Sequence, residues 1–251
     1  DTRRLSRYQL TLAGRAPLLL SSTIALGSGV LKADCANPDL RAEDGATLLR
    51  DTIHVARAKF LHATGCSERI VVRNYGAEPV EADLALAFDA DFVDIVEARG
   101  VARAGRGAVT VRVEGPDAVR FDYAGGDAER RGTRLAFAPA PDVLEDRRAV
   151  WRLGLAPGAS ATLFVAIDCD PEDDPPPPAS GAAFFRALRA ARRPLRAAAR
   201  RMVSVETSDP VATEIFAAPA PTSPCSAPRP RTAPIPSRAC PGSARPSVAT
   251  G

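Results

Sequence analysis

Apolar side chains recur at every second position along much of the first 168 residues of this chain. The pattern is clearest in four segments, at residues 80–88, 109–113, 151–155 and 163–167. A spacing of two places these side chains on one face of a pleated strand, while the residues between them face the other way. Because a second sheet must cover the apolar face, the alternation predicts paired β-sheets.

Turn-forming residues separate the alternating segments at short intervals. Gly14, Gly76, Gly115 and Gly158 can supply positive φ angles, and Asn or Pro lies within two residues of three of them. The sequence contains about a dozen such short strands and no convincing helix before residue 170. We therefore predict a mainly β fold over residues 1–170, a two-sheet antiparallel β-sandwich of the super-sandwich type.

The composition changes after residue 170. Residues 171–179 are acidic and proline-rich, which predicts a stiff linker. Ser180 is a suitable N-cap, and a helix is predicted over 181–202 with a kink at Pro194. The apolar positions of this helix are Phe184, Phe185, Leu188, Leu195 and Met202. A second helix is predicted to start at Pro210, so that residues 180–216 form a helical linker.

The last segment, residues 217–251, has nine prolines, four arginines, no acidic residue and no aromatic residue. It has almost nothing to bury, so we predict a disordered tail. With four of the 33 basic residues in this tail, residues 1–216 hold 29 basic against 30 acidic residues. A body so close to neutrality argues against nucleic acid or an anionic membrane as a partner.

Hydropathy and cysteine content bear on location. No run of 18 apolar residues exists, so the sequence predicts no membrane-spanning helix. The cysteines are odd in number, widely spaced and without a C-x-x-C motif, which argues against a disulfide framework or a zinc ribbon. They are Cys35, Cys66, Cys169, Cys225 and Cys240. We predict reduced thiols and a cytoplasmic protein.

Six stretches of the chain resemble the N-terminal domain of bacterial glycogen-debranching-type enzymes, the amylo-α-1,6-glucosidase family. They are residues 1–6, 17–22, 37–40, 50–54, 74–76 and 88–100. The resemblance extends over about residues 1–216. It implies that a β-sandwich precedes an (α/α)6 glucosidase domain, which would be the partner of this chain and is not encoded in it. The resemblance further implies a non-catalytic role in α-glucan or glycogen breakdown, with α-glucan as a candidate partner. We expect no cofactor and no metal.

The tail itself does not resemble the family, but another reading frame of it does. Back-translated with GC-rich codons and read from the third base of each codon, residues 217–251 give a peptide similar to the opening helix and loop of the glucosidase domain. The sequence therefore predicts a frameshift near residue 217, with the tail as a translation artefact. Because Asp1 is not an initiator Met, we also expect a fragment cut at its N-terminus.

The densest carboxylate cluster beside apolar residues consists of Asp89, Asp91, Asp94 and Glu97. Two of these could act as acid and base in glycoside hydrolysis. Alternatively, they end strands, cap turns or contact the next domain. The second interpretation is favoured because the resemblance implies that the hydrolytic carboxylates lie in the glucosidase domain. As candidate site residues, the four are predicted to line a domain interface or one wall of a sugar site.

Other candidate sites are weaker. His54 and His62 have no cluster of ligands around them and are predicted to be ordinary strand or loop residues. Residues 105–107 lack the rest of a phosphate-binding loop, and residues 170–174 lack the spacing of a calcium loop. Trp151 and Tyr123 are more typical of core packing than of sugar stacking. Two alternative functions stay open, a free-standing carbohydrate-binding sandwich and a protein-interaction sandwich. An exposed aromatic platform would favour the carbohydrate-binding alternative, and the 5% aromatic content weighs against it.

Overall fold

The computed structural model describes residues 2–24, 29–41, 47–101, 107–125, 129–169, 179–199 and 208. These residues belong to one compact unit, Asp1–Ala218, and the second unit of the chain is Pro219–Gly251. The described residues contain fourteen strands: β1 (Arg7–Leu12), β2 (Leu18–Ile24), β3 (Val30–Ala36), β4 (Leu40–Arg41), β5 (Thr47–Leu48), β6 (Ile53–His62), β7 (Gly65–Asn74), β8 (Val80–Asp89), β9 (Ala108–Glu114), β10 (Ala118–Ala124), β11 (Arg130–Ala138), β12 (Val143–Glu145), β13 (Arg148–Leu155) and β14 (Ser160–Cys169). They also contain two helices, α1 (Ile95–Ala98) and α2 (Gly181–Ala199).

The strands form two main antiparallel sheets. The larger sheet has eight strands in the order β2-β3-β6-β7-β14-β11-β10-β9, and the smaller has four in the order β1-β8-β13-β12. Strands β4 and β5 pair separately as a short ribbon. The protein is mainly β with two antiparallel sheets, which confirms the fold class predicted from the alternating pattern.

The core lies between the two sheets and is built from the apolar positions of the alternating segments. Phe88 of the smaller sheet packs against Phe121 and Phe137 of the larger sheet, with ring centroids 6.2 and 5.6 Å apart. Trp151 of the smaller sheet also meets Phe137, at 5.6 Å. Aromatic residues bury large areas, and these edge-on and tilted contacts add to the gain from burial. The side chains that pack between the sheets are thus those that the alternating sequence pattern predicted to share one face of each strand.

Individual strands follow the predicted alternation. In β8, Leu84, Leu86 and Phe88 are fully buried, while Glu81 and Asp83 are exposed. In β14, alternate residues again point into the core, and these are Leu163, Val165 and Ile167. The alternation in β9 has less effect, because β9 is an edge strand: Val109 and Val111 are half-buried and Val113 is exposed. The prediction of strands at these four segments is confirmed.

Helix α2 lies on the outer face of the larger sheet, where it contacts β6, β7 and β14. Ser180 caps it, because its Oγ accepts the backbone N–H of Ala183 at 3.1 Å. Phe184 is buried between Phe60 and Phe164, with ring centroids 5.2 and 5.6 Å away. The predicted cap and the predicted start of this helix are confirmed. Neither of the helices in the described residues is long and apolar enough to cross a membrane.

The sequence predicts that Phe184, Phe185 and Leu188 pack on the sandwich or, in a parent protein, against its catalytic barrel, and packing on the sandwich is wrong for Phe185. Phe185 is 44% exposed, whereas Phe184 is 6% exposed and Leu188 is partly buried against the same cluster. The reason is helical geometry: Phe184 and Leu188 are four residues apart and share a face, while Phe185 is turned about 100° from it. Phe185 meets the Phe184 ring edge-on, with ring centroids 5.3 Å apart.

Two further features depart from the sequence expectation or lie beyond the described residues. The helix α1, one turn long, was not predicted; it lies within the stretch 88–100, where only strands and turns were expected. The linker 171–178, the end of the first linker helix, the second linker helix and the tail 217–251 lie outside the described residues, so the domain boundaries in this part of the chain stay predictions. Pro194 lies inside α2, and the kink predicted there also stays a prediction.

Comparing the two neighbouring phenylalanines of α2 tests the docking of this helix. Phe184→Ala should lower the free energy of unfolding by about 3 kcal/mol, because it removes a buried ring from a packed cluster. Phe185→Ala is the matched control, and it should change that free energy by less than about 1 kcal/mol. Urea titration of both variants measures the difference. Equal losses in the two variants would contradict the assignment of the buried face.

Candidate functional site

Two of the four predicted site carboxylates tie neighbouring segments to the end of β8. Asp91 forms a two-point pair with Arg3, whose Nε donates to Oδ1 at 3.0 Å and whose Nη2 donates to Oδ2. Asp89 Oδ1 accepts the backbone N–H of Ala90 at 2.9 Å and Arg147 Nε at 3.1 Å. These bonds fasten the N-terminal segment and the turn between β12 and β13.

The other two carboxylates form a capping box around α1. Asp94 Oδ1 accepts the N–H groups of Val96 and Glu97, each at 2.8 Å, and Glu97 Oε2 accepts the N–H of Asp94 at 3.2 Å. The box satisfies donors that a helix start leaves without partners. All four side chains thus have structural partners, and none lines either of the hollows described below. Their role at a domain interface or a sugar site stays a prediction.

A buried ionic cluster lies between the two sheets, centred on Glu68 of β7. Glu68 is fully buried. Its Oε1 accepts Arg57 Nε at 2.7 Å, and its Oε2 accepts the Tyr8 hydroxyl at 2.5 Å. Lys59 Nζ is 3.7 Å from Oε1 and 4.4 Å from the centre of the Tyr8 ring. Burial raises the pKa of Tyr8, with Glu68 adding to the effect, and burial lowers the pKa of Lys59.

The sequence interpretation missed this cluster, although a signal for it exists. Ile53 and Val55 point into the core, and the next positions of the same period on β6 are Arg57 and Lys59. Two charges in an apolar series indicate that an acidic partner must face them. The partner could not be named, since Tyr8 and Glu68 are 60 residues apart in sequence. The cluster is enclosed and we interpret it as structural.

The two histidines lie on β6, and each has its own polar neighbours. His62 Nε2 lies 3.3 Å from the hydroxyl of Ser67, and burial lowers the pKa of His62. The side chains of His62 and Ser67 line a hollow of about 230 Å³ beneath α2. Asp168 also lines it, and burial raises its pKa. Among the described residues, no group of three or more His, Cys, Asp and Glu side chains is placed to hold a metal ion.

A second hollow, of about 450 Å³, lies near the edge of the larger sheet beside Tyr75. We call it the Tyr75 hollow, and it is lined by Leu20, Ala36, Arg50, Asp51, His54 and Tyr75. The Tyr75 residue is 61% exposed, which makes it the most exposed aromatic residue in the described part of the chain. Arg73 lies over its ring, with the guanidinium carbon 4.8 Å from the ring centre. His54 meets the ring at its edge, with centroids 6.1 Å apart.

Two buried asparagines hold the loops around the Tyr75 hollow. Asn74 Nδ2 donates to the carbonyls of Glu78 and Leu155 at 2.8 and 3.0 Å, while its Oδ1 accepts the N–H of Gly76. A side chain at Gly76 would meet Thr52 Cγ2 at 2.7 Å, so glycine lets the loop approach this closely.

Asn37 fixes the facing loop. Its Nδ2 donates to the carbonyls of Pro38 and Leu49, each at 2.8 Å, and its Oδ1 accepts the N–H of Ile53 at 2.6 Å. Each amide satisfies backbone groups of loops that regular strand pairing leaves open. The loops that display Tyr75, Arg50 and Asp51 are therefore set by buried hydrogen bonds, which nothing in the local sequence pattern could identify.

The two aromatic residues that were candidates for sugar stacking lie in the core, as the sequence interpretation favoured. Trp151 is 3% exposed and donates from Nε1 to the carbonyl of Pro139 at 3.0 Å. Tyr123 stacks on Phe92 with centroids 5.3 Å apart, and its hydroxyl accepts the N–H of Gly107 at 3.2 Å. Neither ring is available to a ligand, and the exposed aromatic residues in the described part of the chain are Tyr75 and Phe185.

Comparison with protein families gives one match, over residues 1–166, to the N-terminal domain of (some) glycogen debranching enzymes. The chain belongs to this family. The match covers the whole sandwich except the last residues of β14, and it confirms the family that the six stretches resemble. No curated protein matches the chain.

Two solved structures illustrate what this debranching-enzyme domain is similar to. One is described as a kojibiose phosphorylase from the human microbiome, with a TM-score of 0.47 and 10% identity over 79% of this chain. The other is a polysaccharide lyase, with a TM-score of 0.34 and 14% identity over 68% of this chain. The aligned part spans 26% of each of these two chains.

The six stretches that resemble the family meet at two places in the structure. The N-terminal stretch pairs with 88–100, through the N–H of Arg3 and the carbonyl of Val93 at 2.8 Å. The other four stretches contribute to the Tyr75 hollow or to the loops that hold it, since Leu20, Asn37, Asp51 and Tyr75 come one from each. The residues that carry the family resemblance therefore converge on the hollow more than on the acidic cluster.

The buried ionic cluster yields a stability prediction. Glu68→Gln should lower the free energy of unfolding by about 3 kcal/mol, because it leaves Arg57 and Lys59 without their buried countercharge. Glu81→Gln, on the exposed face of β8, is the matched control and should change it by less than about 0.5 kcal/mol. Urea denaturation of the two variants measures both values. A Glu68→Gln variant as stable as the control would mean that the cluster does not hold the sheets.

Proposed function

We propose that this chain is the non-catalytic N-terminal domain of a glycogen-debranching-type amylo-α-1,6-glucosidase, which supports an (α/α)6 catalytic domain that this chain does not contain. The observation that carries the proposal is the family match over residues 1–166. The parent enzyme would hydrolyse α-1,6 branch bonds of glycogen or a related α-glucan with a carboxylic acid and a carboxylate base.

The described carboxylates support a non-catalytic role. Hydrolysis of a glycosidic bond requires two carboxyl groups that flank the substrate, one of them with a raised pKa. Asp168 has a raised pKa, yet it is the single carboxylate in the described lining of its hollow. The other polar residues of that lining are His62, Ser67, Ser180 and Arg186. Among the described residues that line the Tyr75 hollow, Asp51 is likewise the one carboxylate.

The edge strand β2 supports docking of a partner domain. All seven residues of β2 are exposed, and four of them are large and apolar: Leu18, Leu19, Leu20 and Ile24. Among the described strands β2 pairs with β3 alone, so it is an edge strand whose outer backbone groups can pair with another chain. Single-domain proteins avoid long, uncharged, apolar edges of this kind, because such edges associate with other chains. We assign the catalytic domain as the partner that covers β2.

Location in the cytoplasm is part of the proposal. Two of the described cysteines, Cys35 and Cys66, are free thiols. Burial raises the pKa of Cys66 to about 11, so this thiol stays protonated and unreactive at neutral pH. Inert, reduced thiols are typical of proteins from a reducing compartment.

A free-standing carbohydrate-binding sandwich is the second candidate function. The observation that favours it is the exposed ring of Tyr75, which is the kind of platform that this alternative requires. The two candidates differ in one respect that can be measured: only the accessory domain of an enzyme must bind a separate catalytic domain.

The proposal predicts that the isolated chain is inactive but assembles with a catalytic partner. Incubated with a branched α-glucan, the chain should release no glucose. Co-expressed with a separately encoded (α/α)6 domain of the same family, it should co-purify with that domain and raise its soluble yield and activity.

Leu19→Asp should abolish co-purification, because it places a charge on the apolar edge. Asp91→Asn should leave the activity of the assembled pair within about tenfold, since Asp91 would serve structure and not chemistry.

Leu61→Asp is the matched control for the edge strand. Leu61 is 77% exposed at the end of β6, compared with 63% for Leu19, and it lies outside β2. This variant should co-purify as well as the unchanged chain does. Release of glucose by the isolated chain, or equal effects of the two substitutions, would overturn the proposal.

A further inference from the structure

We infer that the Tyr75 hollow binds a short stretch of α-glucan, with the Tyr75 ring as the stacking platform and Asp51, Arg50 and His54 as the hydrogen-bonding groups. The choice of an α-glucan over other sugars rests on the proposed function. The binding site itself rests on four features of the hollow: the ring, its rigid support, the polar groups around it and their charge.

The first feature is the exposed ring. A single exposed aromatic ring is common on folded surfaces, but a ring at the wall of a hollow offers a ligand a large and rigid stacking surface. The Arg73 guanidinium occupies one face of the Tyr75 ring. Tyr75 is 61% exposed, so part of its ring surface remains open to stack on the apolar C–H face of a glucosyl ring.

The second feature is the rigid support of that ring. The Tyr75 N–H donates to the carbonyl of Thr52 at 2.9 Å. The buried Asn74 side chain holds the backbone next to Tyr75. Its Oδ1 accepts the Gly76 N–H at 2.8 Å, and its Nδ2 donates to the carbonyl of Leu155 at 3.0 Å. A side chain displayed on a backbone fixed in this way loses little conformational entropy when a ligand binds. Exposed residues on well-anchored loops are the usual positions of binding groups.

The third feature is the set of polar groups at the other side of the hollow. Asp51 has a φ of +63°, in the left-handed region that non-glycine residues rarely occupy. Its backbone N–H donates to the Asn37 carbonyl at 3.1 Å, and its Oδ2 accepts Arg50 Nε at 3.2 Å. Both side chains are more than half exposed. A carboxylate beside a guanidinium offers an acceptor and a planar donor to neighbouring hydroxyls of one sugar.

His54 completes this set. Its Nε2 lies 3.1 Å from Asp34 Oδ1, which orients the imidazole on the outer face of β6. His54 is paired across the strands with Arg73, so these two side chains lie on the same surface of the sheet. Arg73 in turn lies over the Tyr75 ring. The volume of about 450 Å³ is within the range of about 300–1,000 Å³ for small-molecule sites.

The fourth feature is the charge around the hollow. Among the described side chains around Tyr75 and Asp51, the cationic Arg50 and Arg73 are matched by two carboxylates, Asp34 and Asp51. A site for phosphate or for nucleic acid would carry a clear excess of positive charge. A balanced set of hydrogen-bonding groups next to an apolar ring is instead suited to a neutral polyhydroxyl ligand.

Affinity electrophoresis of the whole chain through native gels with and without glycogen tests this inference. The unchanged chain should be retarded by glycogen, and maltoheptaose added to the gel should relieve the retardation. Tyr75→Ala should weaken binding by about tenfold or more, because it removes the stacking surface. Phe185→Ala, which removes an exposed aromatic ring elsewhere on the surface, is the matched control and should be retarded like the unchanged chain.

A second variant keeps the test independent of any effect on folding. Asp51→Asn should also weaken binding, and it should leave the melting temperature unchanged, because asparagine tolerates the left-handed backbone at this position. The inference is overturned if the unchanged chain is not retarded, if Tyr75→Ala is retarded equally, or if cellohexaose competes as well as maltoheptaose.

The outcomes separate this inference from the proposed function. Failure to bind glycogen, together with co-purification of the catalytic domain, would overturn glucan binding and leave the accessory role standing. Binding to glycogen without co-purification would support the Tyr75 site and overturn the accessory role, in favour of a free-standing carbohydrate-binding sandwich.

Discussion

The carboxylate of Glu68 is the interaction on which the stacking of the two sheets most depends. It is fully buried on β7, and it accepts the hydroxyl of Tyr8 from the smaller sheet and the guanidinium of Arg57 from the larger sheet. Apolar packing attracts the sheets without fixing their relative position, because the hydrophobic effect has no direction. Hydrogen bonds to a buried charge do have direction, and losing one of them costs several kcal/mol. We therefore interpret the cluster as the feature that favours one alignment of the two sheets over others that the apolar core would allow.

The fold class could be predicted from the sequence because the relevant information is local. Period-two spacing identifies a strand and its buried face within a few residues, as in β8 and β14, and glycines with φ of +67° and +72° at Gly115 and Gly158 end the strands where expected. Contacts between distant strands follow no such rule. The Tyr8–Glu68 bond joins residues 60 positions apart, and the choice between Phe184 and Phe185 depends on where α2 lies on the sheet.

The candidate site shows the same division between local and distant information. The density of carboxylates at 89–97 drew attention in the sequence, yet Asp94 and Glu97 form a capping box that the spacing of three already allows. The Tyr75 hollow was not predicted, because its lining comes from four separate stretches and its shape depends on two buried asparagine amides. The Asn-Tyr-Gly sequence indicates a turn; nothing in it shows that the turn leaves a ring exposed beside Asp51 and His54.

The outer face of the larger sheet has two parts with different chemistry. Helix α2 covers one part and buries Phe60 and Phe184 there, while the part near β2 is left open. Leu20 belongs both to the exposed edge strand and to the lining of the Tyr75 hollow. A domain that covers β2 and a glucan that occupies the hollow would therefore share a boundary, and their binding could not be independent. By thermodynamic linkage, each would change the affinity of the other by the same factor, so glucan binding would report on domain docking.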